Sequence, residues 1–177
     1  MRIYISKAKE SWIVDRFREE WYEQNPQYSR KNPFFADLIW IISPWTIRKS
    51  LLNQIKNKKI ICTVHHIDEE NFEELEKKNF EYLDQFVDVY HTISKKSYDS
   101  LKKLTNKKIY NIPFWVDPKK WFYIDKKEDL REKYGFSPND YLIGSFQRDT
   151  EGKDLISPKL IKGPDIFIEI VKNKLKS

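Results

Sequence analysis

A chain of 177 residues has room for one full domain and part of another, at roughly 100 to 200 residues per domain. Its 40% apolar and 15% aromatic content is that of a protein with a core, and its one cysteine, Cys62, excludes an internal disulfide and suits a reducing compartment. Cations outnumber carboxylates 12 to 6 over residues 1–65 and 17 to 11 over 101–177 but are outnumbered 4 to 10 over 66–100, a distribution that suits anionic ligands or an acidic membrane surface, while no zinc-finger, ribonucleoprotein or homeodomain pattern points to nucleic acid.

Arg2–Ser6 reads as a short buried strand, without the longer apolar core of a signal peptide. Ser11 can cap a helix whose apolar face is Ile13, Val14, Phe17 and Trp21, ended by Asn25-Pro26. Asp37–Ser43 is an almost continuous apolar run closed by Pro44, the pattern of a strand buried on both faces of a parallel sheet. The most apolar stretch, Leu38–Trp45, is far shorter than the roughly 18 residues of a membrane span, so a soluble cytoplasmic protein, able to sit peripherally at a membrane, is expected.

A helix through Leu51, Leu52 and Ile55 precedes a third strand, Lys59–His65, which runs into His66 and an acidic helix carrying Phe72, Leu75, Tyr82 and Leu83. Phe86–Ile93 is a fourth strand, and Ser94 stands where an N-cap belongs, ahead of a helix with Tyr98, Leu101 and Leu104. Lys108–Ile112 is a fifth. This alternation predicts an α/β domain with a parallel sheet over residues 1–117. Residues 118–126 read as a linker, and 127–177 as the start of a second domain. There a helix, Lys127–Tyr134, stops at Gly135, a strand spans Tyr141–Gln147, and a polar loop leads to a last helix from Pro164 with Gly163 before it. All four glycines fall within 135–163, so no glycine-rich phosphate loop follows any earlier strand.

Two cations bracket that last strand and helix. Arg148 is placed at a strand's carboxyl end and Lys162 just before a helix start, where free amides and the helix dipole add to side-chain charge in holding phosphate oxygens. Such a clamp suits a departing nucleotide diphosphate; two surface cations beside a loop would look the same in the sequence. His65 and His66 close a central strand, and as strand neighbours they point to opposite faces. A histidine there can bond a sugar hydroxyl or act as a base, or pack beneath the sheet. Cys62, His65, His66 and His91 match no zinc spacing, so no metal is expected. The carboxylates Asp68 to Glu74 read as a solvated helix start and Ser94 as a cap. Trp45 and Trp115, each beside a strand end, fit a sugar-lining or a packing role.

In order along the chain, the strand end Ile-Cys-Thr-Val-His65-His66, the run Asp88–Ser94, the run Ile109–Asp117, and Arg148 with Lys162-Gly163 resemble the retaining family 4 glycosyltransferases. Those enzymes have the GT-B fold, two Rossmann-like domains facing across a cleft. The resemblance implies an acceptor-side N-terminal domain with flanking helices, then the first strand-loop-helix unit of a donor domain. It implies that Arg148 and Lys162 bind the donor diphosphate, that His65 is the catalytic-site histidine at the donor sugar, and that His66, Gly163 and Trp115 contact donor or acceptor. The substrates would be a nucleotide diphosphate sugar and an acceptor hydroxyl, with retention at the sugar and no cofactor. Lys7-Ala-Lys-Glu-Ser replaces the family's glycine-rich turn, and Phe114-Trp115 replaces its Asn-Gly pair. The family's donor domain also continues much further, so the chain is expected to be incomplete as a catalyst alone, with a second chain as one route to completion. The competing expectation is a non-catalytic module that binds phosphate or nucleic acid.

Overall fold

The computed structural model describes residues 1–9, 13–69, 72–124, 127–145, 156–158, 160 and 163–174. The chain divides into two compact units, Met1–Trp121 and Phe122–Ser177. In the first, the strands are β1 (Ile3–Ile5), β2 (Leu38–Ile41), β3 (Lys59–Val64), β4 (Val89–Thr92) and β5 (Lys108–Asn111). The helices are α1 (Ile13–Gln24), α2 (Lys49–Gln54), α3 (Glu74–Asp84) and α4 (Lys95–Lys102), with short 3-10 turns at Pro33–Phe35 and Pro44–Thr46. All five strands are parallel, in the order β1-β2-β3-β4-β5. The expected Rossmann-like α/β sheet is thus present, with each strand shorter at its ends than the apolar run that encodes it.

A parallel sheet in sequential order with right-handed crossovers would put every helix on one face. This one does not. Val14 and Phe17 of α1 pack with Ile5 and Ile42, whereas Leu52, Leu83 and Leu101 of the next three helices pack with Ile39, Ile41, Ile60, Cys62 and Tyr90. The reason lies in residues 28–30. After α1 the chain returns to the outer flank of β1, where Ser29 pairs in parallel with Ile3, and Ile3 donates to the Tyr28 carbonyl (2.7 Å) and accepts from the Arg30 amide (2.8 Å). Only then does it cross to β2. With that one-residue strand included, the sheet is wound in both directions from β1, and the reversal falls between β1 and β2. Ligands of open α/β sheets bind outside the carboxyl ends of the strands at such a reversal.

The burial pattern follows from strand alternation. Ile39 and Ile41 are fully buried on one face of β2 while Trp40 serves the other. Tyr90 is fully buried because its hydroxyl donates to Asp84 (2.9 Å), which also accepts from Thr105 (2.9 Å). Burial drives the thiol of Cys62 far above its ordinary pKa. Since the thiolate is the reactive form, Cys62 is expected to stay unmodified by Ellman's reagent in the native protein and to react only after denaturation. Rapid native labelling would contradict this packing.

The N-cap expected at Ser94 is present, its hydroxyl accepting from the Ser97 amide (3.1 Å). In the second unit α5 spans Lys127–Lys133 and α6 spans Pro164–Lys174. Gly135 has φ +75°, and the Phe136 amide reaches back to the Arg131 carbonyl (2.8 Å), the left-handed stop that glycine allows. The strand expected at Tyr141–Gln147 is not formed over residues 141–145, and residues 146–147 lie outside the described set. Tyr141, Leu142 and Ile143 are exposed. A strand exists only against a partner ladder, and among the described residues none stands beside this segment. No helix among the described residues is long and apolar enough to cross a membrane.

Candidate functional site

The carboxyl ends of β1, β2 and β3 are joined by a polar seam. The Ile42 amide donates to Ser6 Oγ (3.0 Å), which lies 2.5 Å from Thr46 Oγ1, and Thr46 Oγ1 donates to the Ser43 carbonyl (2.6 Å). Thr46 has one proton and spends it on that carbonyl, so Ser6 donates to Thr46. The Ile42 carbonyl in turn accepts from His65 Nε2 (2.9 Å), and the His65 carbonyl accepts from Ser97 Oγ (2.6 Å). Ser6 and Ser43 are buried, and among the described residues Ser43 Oγ has no hydrogen-bond partner. An orphaned hydroxyl at the reversal between β1 and β2 is the kind of group a polar ligand would satisfy.

The seam fixes His65. With Nε2 donating to Ile42, the neutral ring offers Nδ1 as an acceptor. The ring is half-buried between Trp45 (centroids 6.2 Å apart) and Phe114 (5.6 Å). Burial lowers its pKa below the ordinary imidazole value, against the opposing effect of its bond to Ile42. His66 points elsewhere. It is exposed and lines a cleft of about 440 Å³ with Trp45, Phe72, Phe80 and Asp68. The two histidines therefore face different places.

The other face carries the segment after β5. Phe114 stacks on Phe17 at 4.0 Å and lies 5.5 Å from His91. Trp115 donates from Nε1 to Glu20 (3.0 Å), and Lys120 reaches the same carboxylate (3.2 Å). Glu20 is only 3% exposed, so this is a buried anchor that ties the end of the unit to its first helix. Trp115 also borders a second, almost wholly apolar cavity of about 360 Å³ with Trp40, Ile61 and Tyr110. It is thus a packing residue, separate from the cleft at His66.

Beneath Phe114, Trp40 Nε1 donates to Thr63 Oγ1 (2.8 Å), Thr63 bonds His91 Nδ1 (2.9 Å), and His91 Nε2 bonds the Ile112 carbonyl (2.7 Å). The carbonyl requires a proton on Nε2, so Thr63 donates to a neutral His91. Burial lowers the pKa of His91, its bond to Ile112 opposing. Both imidazoles are therefore held neutral in the fold, while in the unfolded chain they take up protons near pH 6.5. Stability from this source is complete above about pH 6.5 and is lost as pH falls through the lowered folded values, because the unfolded state then binds more protons. Urea midpoints measured from about pH 7.5 to 5 should fall toward acid, and less so in His91→Gln. A flat profile would show that neither ring is held neutral.

Gly163 (φ +65°) precedes α6 in the second unit, and its carbonyl accepts from Phe167 (2.9 Å). Arg148 and Lys162 lie outside the described residues. Among the described residues no group of three or more His, Cys, Asp or Glu side chains could hold a metal ion.

Ser6, Ser43, Thr46 and Glu20 are site or anchor residues that reading the sequence missed. The serines carried a signal, since each directly follows an apolar strand run. Glu20 carried none, because a carboxylate on an amphipathic helix reads as solvent-facing. Comparison with family models, curated proteins and solved structures gives no match to this chain.

Proposed function

We propose that the chain is the acceptor-side domain and the opening of the donor domain of a retaining glycosyltransferase of the GT-B type, working in the cytoplasm at the periphery of a membrane. It would move a sugar from a nucleotide diphosphate to an acceptor hydroxyl. The observation that carries the reading is that three of its four motif-bearing segments meet on one sheet: His65 directly follows β3, His91 lies in β4 with Ser94 just beyond it, and Phe114 returns from β5 to touch both histidines. In this reading Arg148 and Lys162 hold the diphosphate oxygens. Neutral His65, its Nε2 proton committed to Ile42, accepts a hydrogen bond at Nδ1 from a hydroxyl of the donor sugar. His66 and its cleft face the acceptor.

Titration calorimetry with uridine and guanosine diphosphate sugars tests this. At least one donor should bind, and Arg148→Ala and Lys162→Ala should each weaken it by about tenfold, the worth of one charge-assisted contact to phosphate. No binding by any donor, or equal binding by both variants, refutes the clamp. Salt-sensitive binding to nucleic acid without nucleotide-sugar binding would favour the non-catalytic module.

A further inference from the structure

The amino ends of the strands, at the opposite edge from the seam, carry a second surface. The 3-10 turn Pro33–Phe35 presents Phe34 and Phe35 to solvent, 50% and 65% exposed, and Met1 and Tyr28 are exposed at the amino end of β1. The turn is built to hold them out. Asn32 Oδ1 caps it through the Phe34 amide (2.9 Å), and Lys58 Nζ clasps the Phe34 and Ala36 carbonyls (3.0 and 2.5 Å). Ala36, next in sequence, is 1% exposed. Two phenyl rings fixed outward on a clasped turn are apolar surface kept in water at a cost.

Around them the charge is one-sided. The carboxylates that precede β2 and β4 are each already taken, Asp37 by Arg2 (2.6 Å) and Asp88 by Lys59 (3.2 Å). Among the described residues, Lys31 and Lys56 have no carboxylate partner, and Arg30 and Lys58 donate only to backbone carbonyls. Lys56 and Lys58 line a shallow polar depression of about 680 Å³ that also holds the Lys59–Asp88 pair. Aromatic rings on a protruding turn beside uncompensated cations are the two elements of interfacial membrane binding, apolar insertion and attraction to anionic headgroups.

We infer that this edge docks the protein on an anionic phospholipid surface, Phe34 and Phe35 entering the headgroup layer and the lysines meeting phosphate. This gives the peripheral placement above a definite surface and lipid class. It stands apart from the transfer reaction, because the carboxyl edge is left facing away.

The test is co-sedimentation of the full chain with vesicles of phosphatidylcholine alone or mixed equally with phosphatidylglycerol. The protein should pellet with the mixed vesicles, and not with phosphatidylcholine or at high salt. Phe34→Ser/Phe35→Ser and Lys31→Glu/Lys56→Glu should each lower partitioning by about tenfold, with melting temperature unchanged. Phe35→Cys carrying an environment-sensitive fluorophore should brighten on the mixed vesicles, whereas the same label at Leu75→Cys, beyond the opposite edge, should not. The inference is overturned if anionic vesicles leave the protein in solution, if the phenylalanine pair can be removed without loss, or if the label at 35 stays dark. It is equally overturned if the pair instead mediates self-association or binding to an acidic polypeptide. None of these outcomes bears on nucleotide-sugar binding, so the two proposals fail separately.

Discussion

Phe114→Ala is expected to destabilise the first unit by about 3 kcal/mol, the low end for truncating a buried aromatic because the ring is half-buried. Phe114 lies flat on Phe17 (20° between planes at 4.0 Å) and is edged by Trp115 at 5.5 Å, while Trp40 lies at 6.5 Å. Its loss would open the face of the sheet over Trp40 and the two half-buried imidazoles. A calorimetric melt should drop by roughly 10 °C, taking a few degrees per kcal/mol for a unit of this size. Proton NMR should show His65 and His91 titrating closer to the ordinary value, since burial is the main cause of their depression. Phe114→Leu, which keeps most of the apolar volume, should lose much less. A small drop with unchanged histidine titrations would mean that the segment after β5 is not packed against the sheet.

The second large effect belongs to Glu20. Glu20→Ala removes the acceptor of the Trp115 indole and the ion-pair partner of both Arg16 (3.5 Å) and Lys120 (3.2 Å), leaving three polar groups without this carboxylate. A cost of about 2 kcal/mol is expected, that of a hydrogen bond to a charged acceptor. Glu20→Gln should lose less, because the amide oxygen can still accept from the indole. Trp115→Phe keeps a ring and removes the donor. A double-mutant cycle of that change with Glu20→Ala should give a coupling of about 1 to 2 kcal/mol. Additive effects would show that Glu20 and Trp115 contribute independently.

The sheet was largely legible in the sequence because its central strands are covered on both sides and leave long apolar runs, such as Leu38–Ile42 and Ile60–Val64. The direction of winding was not. It depends on a single pair, Ser29 with Ile3, too short for any periodicity. Ser94 and Gly135 were legible because capping depends on one residue's own chemistry. The strand expected at Tyr141–Gln147 is not formed over residues 141–145, for a local apolar run cannot supply a partner. His65 was found, but its role as the hinge of a hydrogen-bonded seam depends on Ile42 and Ser97, which only the fold brings near. The Phe114–Trp115 pair was noticed as a departure from a family pattern. Its use, to close the α1 face with Glu20, joins residues far apart in the chain.

That last distance imposes an order on synthesis. Glu20 meets Trp115 and Lys120 across separations of 95 and 100 residues. Separation itself adds little to the closure cost, which grows only logarithmically with loop length. Translation adds a waiting time instead. A nascent chain paused after Asn111 has strands β1 to β5, yet α1 still shows the ribosome's surroundings a bare aromatic face and a carboxylate, Glu20, that has not yet met Trp115 or Lys120. Only when Trp121 has cleared the exit tunnel can the first helix be sealed, so protease resistance should arrive with those last ten residues rather than with the last strand.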